Sequence, residues 1–235
     1  MSRFITTILI AASLCLLVGL GFWQLQRAEQ KQVLIAQQLR QFSQGEVELN
    51  PDQDDLHKVK YQHVFLQGRF DCDHQILLDN KLDKGRPGFH VITGFRPATA
   101  TRSILVNRGW IAMDVNRTPV KDYLDCPQEM LQVKGVATGF PELGYHFSGS
   151  TDAQTDGWPI VLLELDAEKV STALAYQVVN YILLMDQSMP GGFIRNWSFT
   201  PNISAQKHVA YAVQWFGLAI TLGIIVLWKQ RRKNQ

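Results

Sequence analysis

Two stretches of this chain carry no charged residue, and that pattern limits the fold more than any other feature. From Phe4 to Gln26 run 23 residues, FITTILIAASLCLLVGLGFWQLQ; from Val209 to Trp228 run 20 more, VAYAVQWFGLAITLGIIVLW. A bilayer core takes about 20 apolar residues as helix. Both stretches are long enough to span. All 21 acidic residues of the 235-residue chain fall between them. The expected arrangement is two membrane helices flanking one polar domain.

The first stretch reads as an uncleaved anchor. It is longer than the h-region of a signal peptide, and no small-residue cleavage site follows it. Orientation follows from the flanks: KQRRKNQ at the end has four basic residues and no acid. Positive-inside logic puts both termini in the cytoplasm and the domain outside. Trp23 and Trp215 would then sit near the outer ends of the spans, with Trp228 near an inner end. The expected boundaries are a cytoplasmic segment 1–3, a span 4–26, a helical stalk 27–45, an external domain 46–207, a second span 208–228 and a cytoplasmic basic tail 229–235. A net charge of +2 gives no reason to expect nucleic acid as a partner.

The stalk has no Gly or Pro before Gly45 and is rich in good helix formers. Ala28, Ile35, Leu39 and Phe42 fall near one stripe. Beyond it, segments of strand character are YQHVFLQGRF, HQILLDN, FHVITGF, SILVNRGW, LQVKGVATG, PIVLLEL and VVNYILLM, separated by Gly, Pro, Asp and Asn. DAEKVSTALA is a short helix capped by Asp166. So many strands and so few helices predict an α+β membrane protein whose domain is an antiparallel barrel or sandwich. The roughly 180-residue loop is large enough to bury its own core.

Cys15 lies in the first span. Cys72 and Cys126 lie in the domain, where an oxidising compartment permits a bridge that spacing alone does not establish. His57, His63, His74, His90 and His146 show no metal-ligand spacing, and CDH at 72–74 lacks a second ligand pair. Asp71 and Asp73 read as solvated turn residues. No nucleophile elbow, phosphate loop or dinucleotide fingerprint is present, so no enzyme is expected.

The mouth of the second run is unusual in its polar content. His208, Tyr211 and Trp215 are spaced i, i+3, i+7 on one helix face. Such residues form an ordinary aromatic collar at a membrane interface. Imidazole is also a common axial ligand of haem iron. Trp23, Gln24 and Arg27 lie at the same expected depth, and the fork of Arg27 suits carboxylates. Residue spacing leaves both readings open. In LVNRGW, at 105–110, Asn107 and Gly109 read as turn chemistry, while Arg108 and Trp110, at the end of a strand, could face the membrane or a partner.

GFWQLQRAEQK at 21–31 resembles the G-x-W-Q-x-x-R-x-x-x-K segment of the SURF1 family. GFHVITGFRP at 88–97 with ILVNRGWI at 104–111 resembles its central signature, and HVAYAVQWFG at 208–217 its closing one. The three occur in order with a span at each end, so the resemblance covers essentially the whole chain. It implies assembly of haem–copper cytochrome c oxidase in a bacterial inner membrane, with the domain in the periplasm and haem a as cofactor. On that resemblance, His208 ligates the iron, Arg27 sits near the propionates, and Trp23, Tyr211 and Trp215 form walls. Gln24, Asn107, Arg108 and Trp110 become candidate partner contacts. The implied partners are the oxidase catalytic subunit, other oxidase assembly factors and the bilayer. The opposing expectation is a haem-free scaffold that holds an oxidase intermediate together.

Overall fold

The computed structural model describes residues 2–119, 125–141, 157–197 and 205–233. The chain divides into two compact units, Met1–Arg40 with Phe199–Gln235, and Gln41–Ser198.

The first unit is built from helices α1, Ser2–Phe42, and α4, Ala205–Lys233. Both are long and apolar enough to cross a membrane, and only 6 % and 11 % of their most apolar stretches are buried. They are therefore not core helices of a soluble domain. At 1.5 Å per residue α1 is about 60 Å long, roughly twice a bilayer core. It ends where Ser43–Gln44–Gly45 offers no further apolar face, with Arg40 in its last turn favourable to the helix dipole.

Along α1, residues sheltered from solvent recur as Ile10, Leu14, Leu17, Gly21, Gln24 and Ala28. Along α4 they recur as Ala205, His208, Ala212, Trp215 and Ala219. This spacing of about 3.5 residues is the signature of a helix–helix seam. Its contacts are specific. The ring of Phe216 meets Phe22 edge-on at 5.4 Å. A Cβ on Gly21 would fall 2.5 Å from the Phe216 ring, so that ring occupies the space glycine leaves. Further along α1 the expected stripe is corrected. Ile35 is half-buried but Leu39 is 62 % exposed, and Gln38 takes its place. The sheltered positions here are 35 and 38, and Leu39 falls one residue past them.

The second unit holds α2 (Leu56–Val59), α3 (Ala167–Leu174) and a seven-stranded sheet. Its strands are β1 (Val47–Glu48), β2 (His63–Asp83), β3 (Arg86–Pro97), β4 (Ser103–Ala112), β5 (Leu131–Gly139), β6 (Ile160–Leu162) and β7 (Val178–Met185). The sheet is mixed, which corrects the antiparallel expectation: β1 and β6 each run parallel to β2, and β7 runs parallel to β4. Gly and Asn clusters report where strands end. They do not report which distant strand a late one joins.

Two expected strands, at 61–70 and 74–80, form one strand, β2, with a register shift between Phe70 and Gln75. A tight turn then reverses the chain. Asp83 pairs with Arg86, and between them Lys84 and Gly85 both have positive φ, as a two-residue primed turn requires. Strand β3 next pairs with β4, β4 with β7, β7 with β5, and β5 returns to the first half of β2. The pairings form a circuit. From Ser103 to Ile111 every residue of β4 is buried, as its apolar SILV run anticipates for a strand covered on both faces. Asp166 caps α3, its carboxylate accepting from the Glu168 and Lys169 amides.

Cys72, on the shifted part of β2, is bonded to Cys126 in the segment before β5, with Cα atoms 5.6 Å apart and a sequence separation of 54. The tie constrains a long loop of the unfolded chain. Replacing both cysteines by serine should therefore cost about 2–5 kcal/mol, read as a lowered thermal midpoint of the purified protein. An unchanged midpoint would show that the bridge is not structural.

Candidate functional site

In the helical unit, α1 and α4 present the residues of the first and last motifs. His208 is half-buried on the seam, and its Nδ1 lies 2.8 Å from Oε1 of Gln24. The amide oxygen only accepts, so Nδ1–H is the donor of this bond. The ring nitrogen left for a ligand is Nε2. Trp215 lies two turns along the same face, also half-buried, while Tyr211 is 50 % exposed. Trp23 is 47 % exposed, one position off the seam.

Arg27 makes local contacts. Its guanidinium lies 5.6 Å from the centre of the Trp23 ring, and Nη1 donates to Gln30 Oε1 at 3.1 Å. These follow from i, i+4 and i, i+3 spacing on a helix. The structure thus joins His208 to Gln24 and Trp23 to Arg27.

In the domain, Asn107, Arg108 and Trp110 are all buried. Ile92 pairs with Asn107 and Val91 with Gly109, so Arg108 is an extra residue bulged out of the ladder. A bulge turns a side chain away from its alternating position. Asn107 Oδ1 accepts from the Gly109 amide at 3.1 Å, which closes the local turn. Gly109 has φ of +124°, and a Cβ there would lie 2.9 Å from Ile194 O. Gly109→Ala should lower stability by more than 1 kcal/mol through strain and crowding together, measurable as a fall in thermal midpoint.

The bulge sends Arg108 into the interior, where it is 0 % exposed. Nε donates to Gly191 O at 2.8 Å, Nη1 to Gln75 Oε1 at 3.2 Å, and Nη2 to Asp125 O. The guanidinium lies between the rings of Phe70 and Phe193. Burial pulls its pKa down to about 10, so it stays charged at neutral pH. Trp110 Nε1 donates to Lys81 O at 3.1 Å. Arg108 and Trp110 thus tie β2 and the segments around Asp125 and Gly191 to β4 within the domain.

Asn107 has a second task. Its Nδ2 donates to His90 Nδ1 at 3.0 Å, and Trp197 meets the His90 ring edge-on at 5.6 Å. Burial, assisted by the charge of Lys81, pulls the His90 pKa from 6.5 down to about 4. The folded-state value is the lower one, so the neutral ring is the form that folding accepts. Stability is full above about pH 6.5 and is lost as pH falls towards about 4, because only the unfolded chain takes up the proton. The loss approaches about 3 kcal/mol. A midpoint that drops across this range in wild type and much less in His90→Gln checks it.

Sequence reasoning missed one cluster. Asp71 is not a solvated turn residue: it lies within β2, is buried, and holds two partners. His74 Nδ1 is 2.8 Å from its Oδ1, and Arg96 Nη2 donates to Oδ2 at 3.0 Å. Arg96 also lies 4.4 Å from the centre of the Tyr176 ring. Burial first, and then the Asp71 carboxylate, push the Tyr176 phenol well up. Local pattern gave no signal: alternation buries Val64, Leu66, Gly68 and Phe70 and would leave Asp71 exposed, and it is buried where the register shifts after Phe70. Asp73 is exposed, as expected. Among the described residues no three His, Cys, Asp or Glu side chains gather as a metal site, and His146 lies outside those residues.

Two long apolar helices, an intervening mixed-sheet domain and a histidine held on the helix seam define a class: a helix-anchored β-domain protein. A model of the SURF1 family matches residues 11–220. The chain is 26 % identical over 238 residues to a SURF1-like protein of Rickettsia felis, covering 97 % of each. It is 25 % identical over 215 residues to Surfeit locus protein 1 of Takifugu rubripes, covering 85 % of this chain and 86 % of that one. A SURF1-like protein of Drosophila melanogaster is 32 % identical over 111 residues, 40 % of this chain. The chain belongs to the SURF1 family, which is linked to assembly of cytochrome c oxidase.

Proposed function

We propose that this protein binds haem a through His208 and assists its insertion into the catalytic subunit of cytochrome c oxidase, alongside other assembly factors. The observation that carries the reading is the engagement of Nδ1 by Gln24, which leaves Nε2 as the ring atom for a metal. Ligating histidines characteristically have their other nitrogen bonded in this way. Haem would supply the iron that Nε2 ligates. The chain's own residues supply the rest: Trp215 and Tyr211 line the α4 side, Trp23 offers an exposed apolar wall, and Arg27 beside it offers a fork for carboxylates. No catalytic residue is required of such a carrier.

The placement proposed is a bacterial inner membrane, with both termini cytoplasmic and the domain in the periplasm. Two features support it: the basic KQRRKNQ tail, and the Cys72–Cys126 bridge, which belongs on an oxidising side. We read the circuit of strand pairings as a small barrel.

The second reading is the haem-free scaffold. It is favoured by the same seam, in which His208–Gln24 would be an interhelical hydrogen bond and nothing more. The absorption spectrum of protein purified from cells that make haem a separates the two. A Soret band lost in His208→Ala supports the carrier; no band in wild type supports the scaffold.

A further inference from the structure

We infer that Gln24 is the positioning residue for His208: it fixes the imidazole as the Nδ1–H tautomer and so presents the Nε2 lone pair. The inference rests on the proposed role of His208 but concerns a property of the protein without haem. A neutral imidazole carries one proton on either nitrogen, and its hydrogen-bond partner decides which. Here the partner is an amide oxygen 2.8 Å from Nδ1, and it comes from the other helix. A donor at that place, as the NH2 group of the same amide would be if turned over, would stabilise the opposite tautomer, with the proton on Nε2 and no lone pair to offer there, so the inference includes the orientation of the Gln24 amide.

Both groups stand on the seam. Gln24 lies between Gly21 and Ala28 on α1, and His208 between Ala205 and Ala212 on α4; all four flanking residues are small and buried. Small neighbours leave room for the two longer side chains to meet, and they add no polar competitor. Arg27, the nearest cation on α1, is turned to Trp23 and Gln30 instead. Trp23 and Arg27 contact each other, whereas Gln24 is the α1 side chain bonded to the imidazole.

Glutamine, leucine and glutamate separate the possibilities at this position. Leucine removes the acceptor and suits an apolar helix pair. Glutamate keeps an acceptor at the same reach and, when ionised, cannot donate. Nitrogen NMR of 15N-histidine-labelled, haem-free full-length protein in lipid, with His208 assigned by difference from His208→Ala, reads the tautomer directly. The expected result is a protonated Nδ1 in wild type, a mixed population in Gln24→Leu, and a restored Nδ1–H in Gln24→Glu. Titration with haem a should show an affinity about 10- to 100-fold weaker in Gln24→Leu, recovered in Gln24→Glu.

An unchanged tautomer in Gln24→Leu overturns the inference. If haem binding is still lost in His208→Ala, the carrier reading stands without it. A tautomer that follows Gln24 in a wild-type protein that takes no haem would sustain the positioning role and remove the carrier reading.

Discussion

Purified from membranes that contain haem a, the wild-type protein should carry a haem a spectrum and His208→Ala should carry none. The expected effect is a complete loss, because the side chain proposed to hold the iron would be removed and not merely weakened. The same substitution should barely disturb folding. It deletes one interhelical hydrogen bond, about 0.6–2 kcal/mol in a membrane, and leaves the Phe22–Phe216 contact in place. The Gln41–Ser198 unit is a separate compact body, and its melting transition serves as the control. Loss of the spectrum with that transition unchanged is the predicted pair of results. A spectrum retained by His208→Ala would move the ligand elsewhere in the protein.

Arg108→Ala should be the most damaging substitution in the domain, at about 3–5 kcal/mol. Truncation leaves the carbonyls of Asp125 and Gly191 and the amide of Gln75 facing a void between two aromatic rings. Each buried acceptor left unmade costs about 1–3 kcal/mol, and the cavity adds to that. Arg108→Lys should rescue little, since an ammonium cannot span three acceptors with a planar fork. The check is the thermal midpoint of the purified full-length protein, read by circular dichroism of the β signal. A midpoint within a degree or two of wild type would mean that the 125–127 and 189–193 segments are held by other contacts.

These two positions show what the sequence could and could not convey. The helices were legible because a bilayer demands a long uncharged run, and FITTILIAASLCLLVGLGFWQLQ is one. Helix α3 was legible because Asp166 begins a capped apolar pattern. The central motif was half legible: Asn107 and Gly109 do make a local turn, but within a continuing strand. What no local pattern contains is the destination of a bulged side chain. Arg108 reads as exposed by residue type, and is buried because three segments far apart in sequence bring acceptors to it. The parallel pairing of β7 with β4 was hidden for the same reason. At the helix seam, the motifs named His208 and Gln24 separately, and only the fold placed them in contact.

The circuit of strand pairings has a consequence for the order of events during synthesis. Strand β7 joins β4 to β5, so the ring of pairs is incomplete in any nascent chain that stops before Val178. By then β2, β3 and β4 can already form a meander, and Cys126 has already followed Cys72. Only 19 positions separate the end of β7, Met185, from the start of α4, Ala205. The strand that closes the ring and the last helix are therefore synthesised close together, one soon after the other. A truncation before Val178 should lose both the ring and the last helix, whereas one just before Ala205 should lose the helix alone.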